Sequence, residues 1–219
     1  PGAAGHLRRA MARALAEAGL REALARWWEP RLERIADWVA EQEIMRRSVR
    51  APAAIDPEAS GRIELSRPGG PFCLAGRADR IERYPDGTLA ILDYKTGRPP
   101  TQKDVDAGLA PQLVLEAAMA AIGGFGAAWA GETHDLVYWH LTGGSPAGTE
   151  YPLFRKAPGD IPAAAADALE RLGALVDDFD RPDRPYLSRP NPDAASRFAK
   201  YDQLARVAEW SAAGGDDEG

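Results

Sequence analysis

Two strand-like runs joined by a tight turn fix the centre of any fold this chain can adopt. Phe72 to Arg83 is the first run and Leu89 to Lys95 the second, and Tyr84-Pro85-Asp86-Gly87 between them carries the Pro-Asp-Gly chemistry of a reversing turn. If Tyr84 pairs with Thr88, the same antiparallel register sets Asp79 directly across from Asp93. Two carboxylates facing each other across a hairpin repel and weaken a sheet. The second run is apolar through Leu92 and then ends in Asp93-Tyr94-Lys95. Side chains alternate along a strand, so Asp93 and Lys95 share a face. An acid and an ammonium on one face, with a second acid opposite, suit a hydrolytic site in which oxygen ligands hold magnesium or manganese. For the tripeptide alone, the plainer reading is an ordinary Lys95 ion pair with one aspartate turned away.

Three segments then stand in a telling order. They are Gly76-Arg77-Ala78-Asp79-Arg80-Ile81, Ile91-Leu92-Asp93-Tyr94-Lys95-Thr96-Gly97 and Pro111-Gln112-Leu113-Val114-Leu115-Glu116-Ala117. Together they resemble the core motifs of the PD-(D/E)xK nuclease superfamily, and within it the RecB-type nuclease domain, most of all the AddB-type domain of bacterial helicase–nucleases. The resemblance extends from Trp27 to Trp210. It implies an α/β fold with a restriction-endonuclease-like core, a central mixed β-sheet flanked by helices, here with an N-terminal helical extension. It also implies roles. Asp79 and Asp93 would be ligands of Mg (or Mn), Tyr94 would lend its backbone carbonyl to the metal, and Lys95 would be the catalytic lysine. Gln112 would help position the lysine, the water or the DNA backbone.

The resemblance has departures. Its third motif usually carries a tyrosine one turn after the glutamine, and Glu116 and Ala117 occupy that region here. Glu116 reads either as a substitute or as an exposed helix carboxylate. Gly2 and His6 have the spacing of the histidine motif that relatives place on an N-terminal helix, but they lie at the very start of the sequence. Many relatives hold an iron–sulfur cluster on four cysteines. Cys73 is the only cysteine, so neither an iron–sulfur cluster nor a cysteine zinc site is expected. The partners implied are DNA, an AddA-type helicase–nuclease subunit and the remainder of a parent chain. The start at Pro1 reads as part of something longer.

Composition narrows the setting. A chain of 219 residues can bury one sizeable core. A single cysteine argues against an oxidising compartment, and neither a membrane-length apolar run nor a signal peptide is visible. A cytoplasmic location without membrane attachment is the expectation. The formal net charge of −6 is unusual for a DNA-binding domain, which is normally basic. A local basic surface of Arg77, Arg80, Arg98 and Lys103 beside Lys95 is therefore expected, with most DNA affinity coming from elsewhere. Gly-x-Ser-x-Gly and a Gly-Lys-Ser/Thr phosphate loop are both absent, which argues against serine hydrolase and ATPase chemistry.

The organisation reads as a helical segment over 1–50 packing on the core, a nuclease core over 51–213 with a C-terminal helix, and a disordered tail over 214–219. Pro30 begins or kinks the second helix. Ala51 to Ser60 reads as a connector, with strands starting at Gly61. Pro111 suits the first turn of a helix to Ile122. Leu136 to Leu141 is a strand in which His140 is structural, and His134 sits in a polar loop without a partner. Helices are expected from Pro162 to Phe179 and from Ala194 to Ser211. The function that fits is a metal-dependent deoxyribonuclease, exonuclease-like, within a helicase–nuclease complex of double-strand break repair and recombination. Two alternatives stand beside it: a nuclease-fold DNA-binding or interaction module with little activity alone, and a restriction or CRISPR-associated nuclease of the same superfamily.

Overall fold

The computed structural model describes residues 2–187. Five strands form one sheet in chain order: β1 (Ala54–Arg67), β2 (Gly70–Arg83), β3 (Leu89–Lys95), β4 (Thr133–Leu141) and β5 (Gly148–Leu153). β3 and β4 are parallel and the other pairs antiparallel, so the sheet is mixed. The β2–β3 hairpin has the expected register, pairing Arg83 with Leu89 and continuing to Arg80 with Leu92. Its turn is closed by the Tyr84 N–H donating to the Thr88 carbonyl at 2.9 Å. Gly87 takes a φ of 86°, a conformation that favours glycine.

A parallel step needs a long crossover, which the helices between β3 and β4 supply. They are α3 (Gln102–Asp106) and α4 (Gln112–Ala121). α5 (Ile161–Phe179) follows the sheet, and α1 (Ala3–Glu17) and α2 (Glu22–Val49) precede it. Strand alternation divides the apolar residues of β3 between two cores. Leu89 and Ile91 pack with Leu113, Ala117 and Ala120 of α4 and Ile161 and Ala165 of α5. Ala90 and Leu92, with Val137 and Trp139 of β4, pack beneath Trp38 and Val39 of α2. Trp38 meets Trp139 edge-on at 5.3 Å, the offset geometry aromatic pairs prefer. Gly148 lies directly under the Trp38 ring, where a Cβ would collide with it. The result is a restriction-endonuclease-like α/β fold with helices on both sheet faces.

Several boundaries differ from the sequence expectation. β1 begins at Ala54, so most of the expected connector is strand. Pro57 and the acids around it hide this, because proline is confined to sheet edges and irregularities. β1 is an edge strand, and its ladder breaks at Glu58, which has a φ of 59°. α2 runs through Pro30 from Glu22 to Val49 rather than beginning there. α3 was not anticipated; Thr101 caps it in a reciprocal box with Asp104. α1 occupies the start of the chain, and Arg8 ties it to Asp37 of α2 at 2.8 Å. The expected helix from Ala194 to Ser211 and the expected tail lie outside the described residues. Among the described residues, no helix is long and apolar enough to cross a membrane.

Candidate active site

The register that fixes the hairpin also builds the site. The β2–β3 ladder ends at Arg80 and Leu92, one step before Asp79 and Asp93. On the other side of β2, the β1 ladder is interrupted at Glu58, between the Pro57–Arg80 and Ala59–Ala78 pairs. Asp79 therefore sits where the sheet opens, and its Oδ2 accepts the Tyr94 N–H at 2.8 Å. That bond ties the first carboxylate to the backbone between Asp93 and Lys95.

On β3, the Asp93 carboxylate is 1% exposed and the Lys95 Nζ stands 2.7 Å from its Oδ2. The contact is a close ion pair, and it is the partner the structure gives to Oδ2. α4 begins at Gln112, immediately after Pro111. The Gln112 side chain joins both strand residues. Its Oε1 accepts from Lys95 Nζ at 3.1 Å, and its Nε2 donates to Asp93 Oδ1 at 2.7 Å. Asp79, Asp93, Lys95 and Gln112 thus form one connected group, as expected. Burial pushes the Asp93 carboxyl above its ordinary range; Lys95 opposes this and the Asp79 charge adds to it.

Of the two sequence readings of Glu116, the structure removes one. The residue is 5% exposed, not a surface carboxylate. Residues four apart on a helix share a side, and Gln112 Nε2 lies 3.2 Å from Glu116 Oε1. Glu116 Oε2 is buried without a hydrogen-bond partner. Burial pushes its carboxyl up to about 7; the Gln112 hydrogen bond opposes the rise, and the Asp93 and Asp79 charges reinforce it. Tyr138 was missed. It pairs in register with Asp93, and its buried hydroxyl has no hydrogen-bond partner. Burial, together with the Asp93 and Glu116 charges, raises its pKa. The continuous apolar run Leu136-Val137-Tyr138-Trp139 of β4 gave no sign that this tyrosine faces charge.

The other sheet face shows what compensated charge looks like. Arg80 and Tyr94 point there, toward α2. Arg80 bonds to Glu43 of α2 and to Glu82, and its NH1 lies 3.4 Å from the Tyr94 hydroxyl. Arg46 of α2 reaches Glu82 and Glu150 at 3.2 Å each. Arg80 is only 8% exposed, so its expected place on a DNA-binding surface is corrected: the guanidinium is used up inside the protein. Arg77 is exposed and pairs with Glu58 at 2.7 Å. Arg98 and Lys103 are exposed on the segment after β3.

The histidines stay outside the carboxylate group. His6 contacts Arg9 of its own helix at 3.1 Å. His134 has a partner, Glu132, at 2.9 Å. His140 pairs in register with Lys95, and its ring lies 6.2 Å from that of Tyr151.

The donor set suits a hard divalent cation. It consists of oxygen atoms, and two buried ones, Asp93 Oδ2 and Glu116 Oε2, lack hydrogen-bond partners. Among the described residues, no three His, Cys, Asp or Glu side chains converge into a ready-made cage.

Comparison with known proteins agrees at the level of the family. A family model for the PD-(D/E)XK nuclease superfamily matches residues 2–205. Two curated Rickettsia proteins share a segment with this chain: uncharacterized protein RC0550 of Rickettsia conorii and uncharacterized protein RT0391 of Rickettsia typhi. Each is 43% identical over 68 residues, which is 31% of this chain and 8% of the relative. The chain therefore matches only a small part of those proteins. The crystal structure of SSO0001 aligns at 14% identity and a TM-score of 0.30, over 76% of this chain and 85% of that one, a likeness too slight to carry an argument.

Proposed function

The chain belongs to the PD-(D/E)XK nuclease superfamily, and from that we propose a metal-dependent DNA nuclease domain that hydrolyses phosphodiester bonds. Members of the superfamily generally use divalent metals such as magnesium or manganese. The observation that carries the proposal is the connected group of Asp93, Lys95 and Gln112, with Asp79 bonded to the Tyr94 N–H. It brings all three sequence motifs to one place. The AddB-type resemblance of the motifs supports the wider setting, a helicase–nuclease complex of double-strand break repair and recombination in the cytoplasm. In that setting an AddA-type subunit and the remainder of the parent chain would be partners.

Phosphodiester hydrolysis needs an attacking water and relief of the negative charge that builds on phosphorus. A divalent cation would be held by Asp79, Asp93 and the Tyr94 carbonyl, and when bound it would polarise the phosphate and acidify water. The chain's own groups do the rest. Lys95 places a positive charge beside Asp93, where it stabilises developing charge at the phosphate. Gln112 accepts from the lysine and donates to the aspartate, which keeps both side chains in one orientation. Buried packing of Leu89 and Ile91 against α4 and α5 supports the strand that carries Asp93 and Lys95. Arg77, Arg98 and Lys103 are the exposed cations available to the phosphate backbone.

The test is cleavage of labelled single- and double-stranded DNA with magnesium, with manganese and with chelator, beside Lys95→Ala. Metal-dependent cutting that the variant loses is the expected result. Wild-type protein that cuts neither substrate with either metal, alone or with its helicase partner, overturns the proposal in favour of an interaction module. A sequence-specific cutting pattern instead assigns the chain to a restriction-type activity.

A further inference from the structure

Among the described residues two glutamates are buried, with opposite surroundings. Glu82 is 2% exposed and receives Arg80, Arg46 and the Tyr84 hydroxyl. Glu116 is 5% exposed and receives one neutral amide on Oε1, while Oε2 receives nothing. Burying a carboxylate without a charged partner is costly, and a merely structural glutamate would be expected to carry compensation like that of Glu82.

The missing partner is positive. Asp79, Asp93 and Glu116 bring three carboxylates, while among the described residues Lys95 is the single ammonium linked to them, so three minus one leaves two negative charges there when all are ionised. The Gln112 amide nitrogen donates to Asp93 Oδ1 and to Glu116 Oε1. One donor thereby gathers the two acids; Asp93 Oδ2 faces the Lys95 ammonium at 2.7 Å, and Glu116 Oε2 is left without a partner. Two hard oxygens and an excess charge of two match a divalent cation of the magnesium class.

We infer that Glu116 is a third carboxylate of the cation site, acting on the bound ion through its charge and through the ion's own waters. Among the described residues no three carboxylates converge into one cage, so Glu116 would act on a bound ion from beyond its direct ligands. Groups that orient and charge a metal site from just beyond its ligands typically change affinity by about 10- to 100-fold when removed. The inference rests on the proposed cation site at Asp79 and Asp93.

The test is calorimetric titration of the intact protein with Mn²⁺ and with Mg²⁺, using wild type, Asp93→Asn, Glu116→Gln and Glu116→Met. Thermal melting in chelator and in metal is recorded for each. Gln keeps the hydrogen bond to Gln112 and Met suits a buried site, so at least one charge-free variant should fold. Wild type should bind and Asp93→Asn should lose binding. Both Glu116 variants should bind about 10- to 100-fold more weakly. They should melt no lower than wild type in chelator, yet gain less on adding metal. Wild-type affinity in a folded Glu116 variant, with binding lost in Asp93→Asn, overturns the inference while leaving the proposed site standing. No binding by wild type overturns both.

Discussion

The two faces of the β2–β3 hairpin carry buried acids in opposite electrical states. Toward α2, Glu82 and Glu43 are matched by Arg80 and Arg46, so helix and sheet are fastened by a closed network. Toward α4, Asp93 and Glu116 share a single lysine and an amide, and both carboxyls are pushed upward by burial. The residues alternate along the same strands, so neither strand as a whole is structural or functional; each face is. Buried charge that is fully paired holds a fold in one arrangement. Buried charge left short of partners has a use for something not yet in the site.

This contrast can be broken first on the paired face. Arg80→Met leaves Glu43 without its main partner and Glu82 with Arg46 alone of its two arginines. Breaking a buried pair from one side costs about 3–5 kcal/mol. Urea unfolding should show a loss of that order, and a midpoint equal to wild type would show that the network contributes little. On the open face the expectation reverses. Lys95→Ala should lower the unfolding midpoint less than Arg80→Met does, because the lysine is 31% exposed and the Asp93 carboxyl it leaves behind is already pushed upward by burial. Its rate of DNA cleavage should fall by about 100- to 1000-fold, the usual loss for one electrostatic donor. A variant that cuts DNA normally would remove Lys95 from the chemistry.

The pH dependence sharpens the same comparison. The Glu116 carboxyl is pushed from 4.5 up to about 7 by burial, by Asp93 and by Asp79. A raised carboxylate binds its proton more tightly in the folded protein than in the unfolded chain. The folded state therefore loses stability as pH rises from the unfolded value through the folded one, and the full cost stands above about 7. A shift of that size corresponds to a cost on the order of 3 kcal/mol. Glu43 has the opposite sign. Burial would raise it, but Arg80 and Arg47 outweigh burial and hold it below its ordinary value. Its contribution is present above the unfolded value and lost as pH falls through the folded one. In chelator, the melting temperature should thus fall as pH rises through the window just below 7, and Glu116→Gln should flatten that fall. An unchanged slope in the variant would assign the dependence to other groups.

Much of the site was legible because it rests on local rules. Turn chemistry at Tyr84 to Thr88 sets the register, and the register carries Asp79 and Asp93 to the end of the ladder, one step beyond its last pair. Strand alternation then puts Lys95 beside Asp93. What the sequence hid depends on contacts between distant segments. Glu116 reads equally as a substitute in the motif or as a surface carboxylate, because a helix alone does not reveal which side packs on the sheet. Arg80 reads as a DNA contact because nothing in its own motif reveals Glu43, 37 residues away on α2. β1 was obscured by Pro57, whose place at an edge and beside the Glu58 irregularity is visible only once the sheet is assembled.

Arg77 and Arg80 give the smallest and most specific test, because one short motif sends them to different environments. Arg77 is 61% exposed and held only by a surface pair with Glu58. Such pairs contribute about 0–1 kcal/mol, so Arg77→Ala should leave the melting temperature nearly unchanged. If Arg77 contacts a phosphate, the variant should bind DNA more weakly regardless of sequence. The plot of log affinity against log salt should then become shallower by about 1. An identical salt slope would take Arg77 off the DNA path and leave Arg98 and Lys103 as the exposed cations beside the site. A large loss of stability would show instead that the Glu58 pair supports the break in β1, and that the opening around Asp79 depends on it.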